Sequence, residues 1–246
     1  YGARIVVFDV IFAEPDRTSP VRIESLLSRH FKVQIPLSEA AGANADFDQL
    51  FAATLSGGPV VLGCYLLPPP DLAATTLPPA LPEDPLFKGV FYLKGPAAYR
   101  NRLNDRMLHG VDVTLAIPEL RAASGHDGFI NATAESDGII RSSPLVWALG
   151  PDRIYPSLAL EALRIDAGLK QIGIHFDVDG IVALQLGPQR ISTDPAGRLA
   201  INYRHLQPDP QNPQMARSFP TTPAHQVIRR TAPSGVSFGC LGLQPP

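Results

Sequence analysis

The chain is poor in the residues that usually announce chemistry. Cysteine occurs twice in 246 residues, at Cys64 and Cys240, and neither lies in a metal-ligand spacing. Both sit in apolar, strand-like runs, so two buried free thiols are the expected state and a disulfide the lesser alternative. The six histidines are scattered, with no His-x-x-x-His pair and no His–Cys cluster. No metal and no cofactor is expected. An excess of charge of one sign is also lacking. A formal net charge of −2 gives no electrostatic reason to expect nucleic acid or an anionic membrane surface as partner. No run reaches the ~18 to 20 apolar residues that span a bilayer. No secretory signal pattern is present either. The chain does not begin with Met, and strand-like sequence starts almost at its first residue. It therefore reads as a piece of something longer.

What is present is ordinary globular composition, 45% apolar and 18% charged, in a length that suits one large or two small domains. Proline is the outlier at 26 residues, about twice the usual ~5%. The prolines cluster, which points to long ordered loops.

The β-branched and aromatic run Arg4-Ile5-Val6-Val7-Phe8-Asp9-Val10-Ile11-Phe12 predicts a strand buried on both faces and central in its sheet. Asp9 inside it would be costly unless it faced a pocket or accepted hydrogen bonds from a loop. Ser19-Pro20 opens a predicted helix through Phe31, with Ile23, Leu26, Leu27 and Phe31 on one face. A second helix spans 46–56, started by Asp46 or Ala45 and ended by Gly57-Gly58. Residues 59–66 form a second buried strand, parallel to the first.

Residues 67–107, with Pro68-Pro69-Pro70, Pro78-Pro79, Pro82 and Pro85, predict a long loop, a lid or a subunit contact. A short helix is expected over 117–124. Two strand-like runs flank Asp137-Gly138, a dipeptide suited to a tight hairpin. Ser157 caps a helix over 158–167, closed by Gly168. Strands follow at 174–178, 181–186, 190–192 and 199–203, with turns at Asp179-Gly180 and 194–197. A Pro-rich loop over 208–223, a helix near 224–230 and a strand over 236–243 complete the chain. The fold class is α/β: a mostly parallel sheet core with helices on both faces, plus an antiparallel β meander or insertion.

Three short motifs are set aside. Gly235-Val236-Ser237-Phe238-Gly239 matches a nucleophile elbow, but no Asp, Glu or His follows it to complete a triad. Asn131-Ala132-Thr133 is a glycosylation sequon inside an apolar strand. Asp177-Val178-Asp179-Gly180 opens like a calcium loop yet lacks the closing Glu.

Taken together, three further stretches are distinctive. They are the segment from Gly2 to Asp16; Asn131 with Asp137-Gly138-Ile139-Ile140-Arg141 and Tyr155-Pro156-Ser157 leading into Glu161; and Asp194 with Gly197-Arg198-Leu199-Ala200-Ile201-Asn202-Tyr203. Their order and spacing resemble the type-two CHASE domain, a bacterial extracytoplasmic sensory module, over nearly the whole chain. The resemblance implies an N-terminal membrane anchor, transmembrane helices after the domain, and a cytoplasmic adenylate or guanylate cyclase, histidine kinase or Ser/Thr kinase. Against that family pattern residues 1–246 read as one sensor domain, cut short at the N-terminus and atypical over Ser234-Gly235-Val236-Ser237-Phe238-Gly239.

The expected function is ligand sensing in the periplasmic or extracellular part of a bacterial inner-membrane protein. The ligand would be an unidentified small molecule, bound at the C-terminal end of the 4–12 strand beneath the Pro-rich loop. There Asp9, Glu14 and Asp16 would supply acceptors, and Arg17 or Arg141 would take an anionic group. Asn131 and Asp137 complete the candidates, with turn and hairpin hydrogen bonding as the alternative role for both. Two rival readings stand beside this one. The first is a soluble α/β enzyme that uses the carboxylates between Asp9 and Asp16. The second is a dimerisation or docking module, in which the chain forms a homodimer.

Overall fold

A computed structural model describes residues 3–34, 45–69, 84–150 and 153–203, with the backbone of 207–209 and 212–217. The chain divides into two compact units. One is Ile5–Ala200; the other joins Tyr1–Arg4 to Ile201–Pro246.

The first unit is built on β2 (Val60–Leu67), not on the first apolar run. The side chains of Val61, Leu62, Cys64 and Leu66 are wholly buried. Three strands pair with β2. They are β1 (Val6–Phe8), parallel; β6 (Asp127–Phe129), parallel; and β5 (Asp112–Thr114), antiparallel. The predicted central strand is thus a three-residue strand whose one partner among the described residues is β2. Val6 and Val7 are 46% and 42% exposed, because a strand with a single neighbour gains cover on one edge only. Asp9 lies past its end, exposed, and the desolvation cost expected for it does not arise. Phe8 and Phe12 instead meet Phe51 edge-on, with ring centroids 5.3–5.8 Å apart.

Helix α1 (Pro20–Phe31) begins at Pro20, whose fixed φ suits the first turn. Ser19 does not cap it: its hydroxyl accepts from the Phe47 N–H of the next helix at 3.0 Å. None of its residues is buried, and Ile23, Leu26 and Phe31 are exposed. Helix α2 (Phe47–Leu55) is capped as its sequence predicts, with the Asp46 carboxylate accepting from Asp48 and Gln49 N–H. It packs on α4 (Pro118–Ser124), which also covers β2.

The expected long loop over 67–107 holds real structure. Strand β3 (Phe91–Lys94) and α3 (Arg100–Arg106), entered through a 3-10 turn at Ala97–Tyr99, both lie inside it. Leu103 is fully buried and anchors α3, and β3 finds its partner far along the chain. Most of the proline clusters that suggested a loop, in residues 70–83, lie outside the described residues.

Strands β10 (Ile172–Phe176), β11 (Ile181–Leu186) and β12 (Gln189–Ser192) make three strands of the predicted antiparallel meander, and β3 extends it in parallel. The fourth, expected over 199–203, is the shorter Arg198–Ala200 and pairs elsewhere. A third sheet orders β4 (His109–Gly110), β8 (Val146–Leu149) and β9 (Arg153–Pro156). The Asp137-Gly138 turn forms, with Gly138 at φ +80° and its N–H on the Glu135 carbonyl at 2.8 Å. Apart from one bond across the turn, the Glu135 N–H to the Ile139 carbonyl at 3.0 Å, its flanks form no ladder with each other. β6 joins β2, while β7 (Ser142–Pro144) joins β13 (Arg198–Ala200). Among the described residues the sheets are small and mixed, and a mostly parallel core does not form.

Helix α5 (Leu158–Asp166) has Ser157 as its N-cap, accepting from Leu160 N–H at 3.2 Å. Its first turn presses on β6. A Cβ added at Gly128 would stand 2.5 Å from the Leu158 Cα, so no larger residue fits there unchanged. Within the second unit β14 (Gln207–Asp209) pairs antiparallel with β15 (Asn212–Arg217), so part of the predicted 208–223 loop is strand. The expected helix near 224–230, the strand over 236–243, the Gly235–Gly239 motif and Cys240 lie outside the described residues.

Candidate functional site

Pro15 and Pro20 break regular structure on either side of a short turn, leaving residues 14–18 to be shaped by their own side chains. Asp16 accepts from the Thr18 N–H at 2.7 Å and from the Thr18 hydroxyl at 2.6 Å, and these bonds hold its carboxyl below the usual range. Its own N–H donates to the Asp48 carboxylate of α2, at 3.0 and 3.1 Å to the two oxygens. Glu14 forms an exposed ion pair with Arg17.

This turn and one face of α1 bound an open groove of about 460 Å³. From α1 come Arg22, Ser25, Leu26 and Arg29, recurring at intervals of three and four and so sharing a face, with His30 beside them. Arg22, Arg29 and His30 form no ion pair among the described residues. The groove is therefore cationic, because Glu14 is already matched by Arg17.

Of the seven residues singled out from sequence, Glu14 and Arg17 line this groove. Asp9 is exposed elsewhere on the same segment, and Asp16 serves the turn. Asn131 is buried and structural: its amide donates to the Leu66 carbonyl at 2.7 Å and accepts from the Leu66 N–H at 2.9 Å. Asp137 and Arg141 pair at 2.8 Å, and Arg141 also reaches Glu135 at 2.7 Å, an exposed cluster around the turn. These bonds lower the Asp137 carboxyl and raise the Arg141 guanidinium. Of the carboxylates that the enzyme reading required, Glu14 is ion-paired and Asp16 holds a turn, while Asp9 is exposed apart from them.

A second polar site escaped sequence reading. Arg121 of α4, 6% exposed, donates to both Asp84 oxygens at 3.0 Å and to Asp127 of β6 at 2.7 and 2.9 Å. Burial pushes both carboxyls up. At Asp84 the Arg121 fork outweighs it and the group sits low; at Asp127 burial and the neighbouring carboxylates prevail and the group sits high. Next to this clamp, Glu161 of α5 receives Arg164 at 2.5 and 2.8 Å and His126 at 3.2 Å. Burial raises Glu161, but those partners more than reverse it. A cavity of about 20 Å³, roughly one water in size, lies between Phe87, Lys88, His126, Asp127, Tyr155 and Glu161. The buried Tyr155 hydroxyl has no partner among the described residues, and burial raises its proton affinity. Cys64 of β2, packed in one cluster with Phe129 and Tyr155, is a free thiol that burial likewise pushes up. Arg121 and Asp84 stand 37 residues apart, so no local spacing could have paired them.

These elements define a mixed α/β module that carries an open cationic groove and a buried ionic clamp. By sequence the chain belongs to the CHASE2 domain family, whose model matches residues 1–239. CHASE2 domains are non-catalytic sensory modules of signalling proteins, typically the extracytoplasmic parts of membrane proteins. No curated protein and no solved structure matches the chain. Among the described residues no helix is long and apolar enough to cross a membrane.

Proposed function

We propose that residues 1–246 form one ligand-sensing domain in the periplasmic or extracellular part of a bacterial inner-membrane receptor. Segments flanking the domain anchor it, and its output is a cytoplasmic adenylate or guanylate cyclase or a protein kinase. The domain binds a small molecule and performs no chemistry on it. A sensor transmits only if its ligand favours one of two conformations, so the binding energy is spent on that difference. Family membership across residues 1–239 is the observation that supports this reading.

The test is topology in the full-length parent protein. Arg102, exposed on α3, is replaced (Arg102→Cys) in a Cys240→Ser background, leaving Cys64 buried as the other thiol of this segment, and labelling is read against the same parent without Arg102→Cys. A membrane-impermeant maleimide is expected to label the new thiol in intact spheroplasts. Labelling only after lysis would overturn the reading. The parent gene, read through both ends of this segment, is expected to encode a hydrophobic anchor before it and a cyclase or kinase after it.

A further inference from the structure

The groove beside α1 differs from an ordinary arginine-bearing surface in three respects. It is concave and, at about 460 Å³, falls within the range of small-molecule sites. Arg22 and Arg29 stand on one helix face, seven residues or roughly 10 Å apart along the axis. Neither has an acidic partner among the described residues, while Glu14, the acid in the groove, is bound to Arg17. Between the two arginines lie the Ser25 hydroxyl and Leu26, a side chain 55% exposed. An apolar surface flanked by two forked cations matches a molecule with an anionic group at each end of a short apolar body.

We infer that this groove binds a small organic dianion, a dicarboxylate or a phosphorylated acid, with its charged ends on Arg22 and Arg29 and its body over Leu26. Arg17 and Glu14 form the opposite wall. An anion seated between the walls draws the 14–17 turn toward α1. That turn is tied to α2 through the Asp16 N–H and the Asp48 carboxylate, and α2 packs on α4. Occupancy therefore reaches the helices that cover β2. The inference rests on the sensor reading for its purpose, and its chemistry stands apart from it.

The experiment is calorimetric titration of the 246-residue chain with succinate and, separately, with inorganic phosphate. Saturable succinate binding, tighter than that of phosphate and weaker at high salt, is expected. Arg22→Gln and Arg29→Gln are each expected to weaken it about tenfold or more, the scale of one charge-assisted contact. Arg102→Gln, an exposed arginine on α3, should leave it unchanged. Circular dichroism confirms that each variant is folded. No saturable succinate binding would overturn the inference. So would phosphate binding as tightly as succinate, or an equal loss in Arg102→Gln. The two tests separate cleanly: external labelling without anion binding removes the groove assignment alone, and anion binding by a domain labelled only after lysis removes the sensor reading alone.

Discussion

Arg121 and Asp84 meet fork to fork, each terminal nitrogen of the guanidinium 3.0 Å from a different carboxylate oxygen. The same guanidinium holds Asp127 on its other side, so one helix residue ties the segment after residue 83 to strand β6. Such a clamp fixes position because both partners are desolvated and planar groups leave little angular freedom.

Removing the guanidinium strands two carboxylates in low-dielectric surroundings. Arg121→Met is expected to destabilise the chain by about 3–5 kcal/mol, the usual penalty for breaking a buried ion pair from one side. Arg121→Lys keeps the charge and loses the fork, so its unfolding midpoint in urea should fall between those of Arg121→Met and the native chain. Equal midpoints for Arg121→Met and the native chain would show that the clamp contributes nothing to stability.

Stability against acid should depend on which carboxylate titrates. Asp84 and Glu161 sit below their ordinary values of 3.8 and 4.5, so their stabilisation is full above those values and is lost as pH falls through the lower folded ones. Asp127 sits above its ordinary value, and its contribution runs the other way, fading as pH rises through its raised value. Thermal unfolding across the acid range is expected to show a flatter loss in Glu161→Gln and a steeper loss in Asp127→Asn. A parallel shift of both curves, with no change of slope, would contradict this assignment.

Asn131 replaces a missing ladder partner at the end of β2, satisfying both backbone groups of Leu66. Asn131→Ala leaves a buried N–H and C=O unpaired and should cost about 2–4 kcal/mol. Asn131→Asp cannot restore the amide's donation to the Leu66 carbonyl, so chemical denaturation should show little rescue. A neutral Asn131→Ala would reopen a role for this residue in ligand contact.

Local signals read well where the cause is local. Asp46 and Ser157 cap the helices their sequence predicts, Pro118 opens α4, and the Asp137-Gly138 turn forms with a positive φ. The errors came where a partner lies far along the chain. The run from Arg4 to Phe12 looked central because composition reports hydrophobicity without reporting neighbours. Phe91-Tyr92-Leu93 was hidden by the prolines before it, and its partner β10 lies about eighty residues later. At the candidate sites, Glu14 and Arg17 were legible as charges beside a strand. Their meeting with Arg22 and Arg29 required α1 to turn that face toward them.

The sequence by itself determined the α/β class, the boundaries of α1, α2, α4 and α5 to within a residue, the meander of β10, β11 and β12, and the kinship to a sensory family, since propensity, capping and motif order are written in neighbouring residues. Tertiary structure decided that β2 is the central strand, that Asn131 serves Leu66, and that Arg121 gathers Asp84 and Asp127. Those outcomes depend on contacts between residues dozens of positions apart, whose pairing is settled only when burial makes an unmatched charge or an unpaired peptide group too costly to leave.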